Sequence, residues 1–303
     1  MGLQQHAGMT LASADLLPRR STCVVCSSSD LVRRLRVHAA PEVWFRRCRR
    51  CGVVSADRMP TEEVLTRYYR DYYSSSLLGA RERCVTVDTV HRLARHIVDC
   101  ATPPRPAART SVLDFGGGDG AVGLAVADEL ERRGAAEVLV TVVDLGDVPA
   151  ADSRVTSRTS LTGKDLASHD LVIASAVIEH VPDPAHTLRQ LLESLAPRGA
   201  LYARTPFHEA MAMTARRLGR ELDMGFPAHL HDMGCDFWER LPDTLAMADR
   251  FTVTHSRPSV VASSWSSRFA RTLSAHALKA PWWVLGNRWR FVGGWEVVVE
   301  RQA

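Results

Sequence analysis

The sequence predicts an α/β fold: a mainly parallel sheet covered by helices on both faces, preceded by a small cysteine-held ribbon and a helical lid. Three observations predict it. Past residue 110 the apolar runs "SVLDF", "VLVTVVD", "DLVIASAV" and "GALYART" alternate with the helical stretches "AVGLAVADELERR" and "DPAHTLRQLLESLAP", the rhythm of buried parallel strands joined by crossover helices. A glycine-rich turn, "GGGDG", follows the first of these strands. Ahead of the sheet, the pairs "CVVC" and "CRRC" stand 21 residues apart.

A chain of 303 residues has room for one large domain and a smaller appendage, and 46% hydrophobic with 24% charged residues marks a soluble globular protein. The first residues lack a basic start followed by an apolar core, and no window offers about 18 uninterrupted apolar residues, so no transmembrane segment and a cytoplasmic location are expected. The net charge of +4 divides unevenly, with the basic excess in the first 109 residues. Oligomeric state leaves no mark in the sequence.

Residues 1–20 are expected to form a loose tail and 21–58 the ribbon. Cys23, Cys26, Cys48 and Cys51 form two CxxC knuckles that can set four thiolates tetrahedrally around one zinc ion, a closed and therefore structural site. A reducing cytoplasm disfavours the alternative of two disulfides. Beside the second knuckle, Arg46, Arg47, Arg49 and Arg50 suit phosphate oxygens, of a nucleotide-linked acceptor or of nucleic acid, or form a solvated charged face.

Residues 59–108 are expected as a helical lid and linker. Thr61 can cap a helix that carries Glu62 and Glu63 in its first turn, with Val64, Leu65, Tyr68, Tyr69 and Tyr72 at helical spacing. Tyr69 is the candidate to meet a polar acceptor, with Tyr68, Tyr72 and Tyr73 in the same lid; packing is the plainer role of such aromatics. A second helix fits "DTVHRLARHIVDCA", where Val90, Leu93, Ala94, Ile97 and Val98 share one face, and the proline-rich "TPPRPAAR" ends the linker.

The sheet domain, residues 109–303, opens on "VLDFGGGDG". Gly116, Gly118 and Gly120 remove Cβ atoms where a strand gives way to a helix, so that a ligand can approach the backbone N–H groups of the helix N-terminus. The letters fit GxGxxA, a dinucleotide turn, and also GxGxG preceded by an acid, an S-adenosylmethionine turn. Asp114 favours the second, since a carboxylate there repels a pyrophosphate and suits an α-amino group. Asp144 ends the second strand, where an acid can take ribose hydroxyls or cap a turn.

From about Ser111 to Gln302 the chain resembles class I S-adenosylmethionine-dependent methyltransferases, with "HDLVIASAVIEHVPDP" matching their fourth strand and "LAPRGALYARTPF" their fifth. The resemblance implies a Rossmann-like sheet with a reversed final strand, for which "FTVTHSRP" and "GWEVVVER" are available. It implies S-adenosylmethionine as cofactor, with Asp114, Gly116, Gly118 and Gly120 at its methionine end and Asp144 at its ribose. Leu161 or Asp165 falls nearest the usual adenine contact. The ribbon, "PTEE" and the Tyr-Tyr helix resemble the front end of zinc-ribbon methyltransferases of secondary metabolism, including nucleotide-sugar C-methyltransferases. In those a Tyr-His-Glu-His segment supplies catalytic groups. Here "FPAHLHDMGCDFW" keeps the histidines as His229 and His231, with Ala228 and Leu230 in place of the tyrosine and the glutamate.

The expected activity is methylation of a small biosynthetic acceptor on carbon or oxygen. His231 is the first candidate base and His229 the second, because imidazole titrates near ~6.5; as alternate residues of an extended "HxH" they point to opposite sides. His180 of "IEH" follows the fourth strand and either touches substrate or shapes the turn. RNA methylation through the basic ribbon is the alternative; "SAVIEH" stands where base-flipping enzymes carry Asn-Pro-Pro-Tyr. A tryptophan-rich insertion at about 259–293 remains, a candidate substrate cap, dimer surface, membrane-leaning patch or packed connection. With the strand start that follows, it holds five of the seven Trp.

Overall fold

Two sheets share the chain in the computed structural model, which describes residues 10–74, 89–101, 109–145, 152–263 and 265–303. Strands β1 (Leu31–His38), β2 (Val43–Cys48) and β3 (Val54–Ala56) form an antiparallel meander, and β9 (His231–Asp232) adds to it from far along the chain. Their inward Leu35, Val37, Val43, Phe45 and Val54 make a small core with Met59, Val64, Phe226 and Leu230. Leu11 and Leu16 are buried in this core, and Leu16 bridges Pro60. Residues 10–20 are therefore pinned at two points rather than the loose tail expected, because two leucines have apolar surface to remove from water while most of their neighbours stay exposed.

Helix α1 (Glu62–Ser74) starts at Thr61, whose hydroxyl accepts the Val64 N–H at 3.4 Å, and it buries Val64 and Tyr68. The side chains of Tyr72 and Tyr73 lie outside the described residues. Helix α2 (Val90–Cys100) buries Leu93, Ala94, Ile97 and Val98 in one cluster with Val126 and Leu130 of α3 (Ala121–Arg132). It thus covers the large sheet and is no part of a lid: its apolar stripe finds a strand surface, which a mobile cover would not supply.

The large sheet has the order β10-β11-β8-β7-β4-β5-β6. Its members are β4 (Thr110–Phe115), β5 (Val138–Val143), β6 (Val155–Arg158), β7 (His169–Ser175), β8 (Leu195–Phe207), β10 (Phe251–Pro258) and β11 (Gly293–Arg301). All pairs are parallel except those of β11, which runs antiparallel to both β8 and β10. Side chains alternate between the faces: along β8, Leu201 and Ala203 enter one apolar layer with Leu113 and Trp238, while Ala200 and Tyr202 enter the other with Ile97 and Val126. Helix α4 (Pro184–Ser194) is capped by Asp183, which accepts the His186 N–H at 3.0 Å, with proline in its first turn. Helix α5 (Glu209–Arg217) follows β8. Two short helices follow, α6 (Cys235–Glu239) and α7 (Leu241–Thr244), broken where Pro242 suits only a first turn. Helices α8 (Phe269–Lys279) and α9 (Trp282–Leu285) lie in the insertion.

Glu296 of β11 is a carboxylate inside this apolar frame, and its oxygens are saturated. They accept from Tyr202 Oη (3.0 Å), His96 Nε2 (2.8 Å), His255 Nε2 (3.2 Å), Arg257 Nε (3.1 Å) and the Val260 N–H (2.9 Å). Such pairing is what makes a buried charge tolerable. Burial disfavours the His96 cation, but its contacts with Cys100 and Glu296 outweigh that and raise its pKa to about 9. A raised histidine pKa contributes stability that is complete below the unfolded value near ~6.5 and is lost as pH rises through the folded one. Thermal melts of the wild type should therefore show a lower midpoint at pH 9.5 than at pH 6.5, and His96→Gln should flatten that slope.

Candidate functional site

Strand β4 delivers the chain into a turn at the carboxyl rim of the sheet. Gly116, Gly118 and Gly120 there have φ of 71°, 55° and 76°, a region that side-chain-bearing residues seldom adopt. A Cβ on Gly116 would lie 2.3 Å from Val177 Cγ2, so the backbone passes that side chain only as glycine. A Cβ on Gly118 would meet no atom within 4 Å. This open side is where a ligand can reach the N-terminus of α3, a helix of 12 residues.

Asp114 lies beneath the turn. Its carboxylate is buried and accepts the Gly123 N–H of α3 at 2.8 Å. Burial raises its pKa to about 7 against the pull of that bond, with the charges of Asp144 and Asp119 adding to the rise. Asp114 Oδ2 thereby braces the glycines from below by holding the start of α3. Asp144, at the end of β5, accepts the Gly118 N–H at 2.9 Å and stands beside the open side. Leu161 is half-buried against the apolar layer of Leu113 and Trp238. Asp165 accepts from Thr162 N (2.6 Å), Thr162 Oγ1 (2.8 Å) and Arg158 Nη1 (2.9 Å), so its oxygens close a turn and are not aimed at an adenine.

Across the rim, the tight turn Ile178–His180 after β7 is stitched to residues 228–231. His180 Nδ1 lies 3.0 Å from the Ala228 carbonyl, the Leu230 N–H donates to Glu179 O at 2.8 Å, and His231 Nε2 lies 2.8 Å from Val181 O. A carbonyl only accepts, so His180 carries a proton on Nδ1, and whenever the ring is neutral the lone pair is on Nε2. The His229 ring stands 4.8 Å from that of His180, and Tyr69 of α1 approaches the same imidazole edge-on at 6.3 Å. Tyr69, His180 and His229 are thus brought together. Glu179 joins them, buried, with Oε1 3.9 Å from His180 Nε2. The sequence reading passed over Glu179, although its place beside His180 in "IEH" was the available signal.

His231 turns the other way. It is buried, with Nδ1 2.8 Å from Ser55 Oγ and Nε2 on Val181 O, and burial lowers its pKa to about 4. The first candidate base is therefore a neutral bracket: both ring nitrogens are engaged and neither faces an acceptor.

In the ribbon, Cys23 Sγ lies 3.6 Å from Cys51 Sγ and Cys26 Sγ 3.5 Å from Cys48 Sγ, and all four sulfurs fall within 4.8 Å of one another. Those separations are far beyond the ~2.05 Å of a disulfide. They are close to the ~3.8 Å edge of a tetrahedron whose metal–sulfur bonds are about 2.3 Å, so the donor set fits a divalent ion. The hydrogen bond between Cys23 and Cys51 pulls the Cys23 thiol down and pushes that of Cys51 up, and burial pushes up that of Cys26. Of the neighbouring arginines, Arg47 is paired with Glu209 and Asp236, and Arg46 donates to the Arg20 carbonyl at 2.8 Å. Two of the four guanidinium groups, open in the sequence to phosphate or to a solvated charged face, thus tie the ribbon down instead.

A family model described as "Methyltransferase domain" matches residues 81–241, more than half of the chain. The chain belongs to this methyltransferase family. It is 30% identical over 111 residues to the ubiquinone biosynthesis O-methyltransferase of Saccharophagus degradans, a match covering 32% of this methyltransferase and 44% of that protein, less than half of the relative's length. Among solved structures it is similar to the plantazolicin methyltransferase BpumL in complex with SAH (TM-score 0.49, 12% identity, 80% of this chain and 96% of that one). It is similar also to the [4+2]-cyclase SpnF (TM-score 0.45, 17% identity, 70% of this chain and 80% of that one).

Because His231 supports two elements through its ring, His231→Ala leaves Ser55 and Val181 O without their partner and opens a cavity. The substitution should lower the unfolding free energy by about 2–4 kcal/mol in urea titrations.

Proposed function

We propose that this methyltransferase transfers a methyl group from S-adenosylmethionine to a carbon or oxygen of a small biosynthetic acceptor. One observation carries the choice of cofactor: the glycine turn is open at Gly118 and is ringed by Asp114, Asp119 and Asp144, with no basic residue from 114 to 121. The carboxylates of Asp119 and Asp144 repel a pyrophosphate and favour a ligand bearing a sulfonium and an ammonium group. Gly116, Gly118 and Gly120 would line its methionine end, Asp144 would take its ribose hydroxyls, and Leu161 would flank its adenine.

The donor supplies an electrophilic methyl group when bound. The chain's own residues place the acceptor and take its proton. The lone pair on His180 Nε2, fixed by the Nδ1 bond to Ala228, makes His180 the base, with His229 and Tyr69 forming the wall around it. Ala228 and Leu230 are buried, and Leu230 belongs to the ribbon core, so the tyrosine and glutamate of the sugar enzymes have no counterpart facing this wall. That supports an acceptor other than the sugar of those enzymes. The commitment of Arg46 and Arg47 to internal contacts favours a small acceptor over RNA. Cys23, Cys26, Cys48 and Cys51 would hold a structural zinc ion with no open position.

Calorimetry and turnover test this reading together. Gly118→Arg should weaken S-adenosylmethionine binding by at least about 100-fold, since a side chain at positive φ would fill the open side; unchanged affinity, or tight binding of a nicotinamide dinucleotide by the wild type, would overturn the cofactor assignment. His180→Gln, assayed against a panel of small hydroxyl and carbon-acid acceptors by mass spectrometry, should keep that affinity while losing about 100-fold in turnover. Cys48→Ser should release one equivalent of zinc by elemental analysis and lower the melting temperature.

A further inference from the structure

We propose that the insertion between β10 and β11 is a peripheral docking surface for an anionic lipid bilayer. Between Ser259 and Gly293 the sequence holds five basic residues, Arg268, Arg271, Lys279, Arg288 and Arg290, and no aspartate or glutamate; Lys279 donates to Ser259 and Arg290 pairs with Asp236, so Arg271 and Arg288 lead the contact with headgroups. Of the twelve large hydrophobic side chains exposed among the described residues, seven lie between 265 and 285. Phe269 is 60% exposed, Trp283 73% and Val284 87%. An interfacial protein segment combines these two properties, since lipid acyl chains take the apolar side chains and anionic headgroups take the cations.

The exposure is built into the fold. Helix α8 buries Thr272, whose hydroxyl meets Ser263 Oγ at 2.7 Å, and turns Phe269 and Leu273 outward one turn apart. Trp265 stacks on His276 with ring centroids 5.2 Å apart and contacts Phe269 at 5.8 Å, which makes an aromatic patch rather than scattered single residues. The scaffold beneath is fixed by other members of the same segment. Trp289 Nε1 donates to Leu278 O at 2.8 Å, Trp282 Nε1 to Asn287 Oδ1 at 3.2 Å, and Arg290 pairs with Asp236. Inward tryptophans therefore hold outward ones in place.

Charge selects the lipid over a second copy of the chain. A symmetric dimer across this surface would set two acid-free cationic segments against each other, whereas a bilayer rich in acidic headgroups is complementary. Among the described residues no helix is long and apolar enough to cross a membrane, so the contact is peripheral. Because β10 runs parallel to β8, the insertion leaves the sheet at its carboxyl rim, the rim that also carries the glycine turn.

The test is sedimentation of the whole protein with vesicles of phosphatidylcholine alone and of phosphatidylcholine with 30% phosphatidylglycerol, independent of any methyl transfer. The expected result is binding to the anionic vesicles, weaker by about tenfold or more on neutral ones and falling with added salt. The double variants Trp283→Ser with Val284→Ser, and Arg271→Ala with Arg288→Ala, should each reduce it by about tenfold at unchanged circular dichroism and melting temperature. Absence of binding to either vesicle, or binding that both variants retain, would overturn the proposal. So would a dimer in light scattering that the Trp283→Ser and Val284→Ser pair dissolves, which would give the surface to a second copy.

Discussion

Hydrogen bonds between residues 179–181 and 228–231 fix the part of the rim where His180 and His229 meet. One is backbone to backbone, and the other two join an imidazole to a carbonyl. The arrangement continues outward: Ala56 N–H donates to Leu230 O at 2.9 Å, and β9 pairs with β3. The cysteine ribbon is therefore a supporting wall for the segment that carries His229. Its sheet ends on the residues that orient His229 toward His180 and His231 away. A ribbon with its own core could have been attached anywhere; this one borrows its last strand from the segment it supports.

Electrostatic ties complete the join. Arg47 of the ribbon, Glu209 of α5, Asp236 of α6 and Arg290 of the insertion form a continuous run of ion pairs where four parts of the chain meet. Gly52 packs against the same point, where a Cβ would lie 2.7 Å from that of Asp236. Removing one member of such a partly buried set strands its partner, so the penalty for breaking it exceeds what forming it contributes. The glycine turn follows a related logic. Asp114 is expensive to bury and is retained because its bond to Gly123 holds the start of α3 at the height the open side requires.

The large sheet was legible because its strands are apolar runs separated by helical periodicity, a pattern that leaves few topologies. Strand β6 escaped, since "VTSR" is a half-exposed edge with no apolar run, and β9 escaped because two residues have no periodicity to detect. The glycine turn was legible because a backbone at positive φ has few permitted residues. The histidines were harder. "HxH" told that the two side chains diverge, but which one the ribbon would claim depended on Ser55, 176 residues earlier in sequence. Local pattern carries no information about a partner that tertiary pairing supplies. Asp165 depended on its partners in the same way: Thr162 and Arg158 take both its oxygens.

The reversed strand β11 has a consequence for what this architecture can become. A parallel crossover must carry its chain back along the sheet face, so its length and course are tied to packing there. The hairpin formed by β10 and β11 has no such obligation, and the entropic cost of a longer loop between fixed ends grows only logarithmically. New sequence can therefore be accepted at that point without disturbing the register of any neighbour, which leaves this corner of the fold open to change while the centre stays the same.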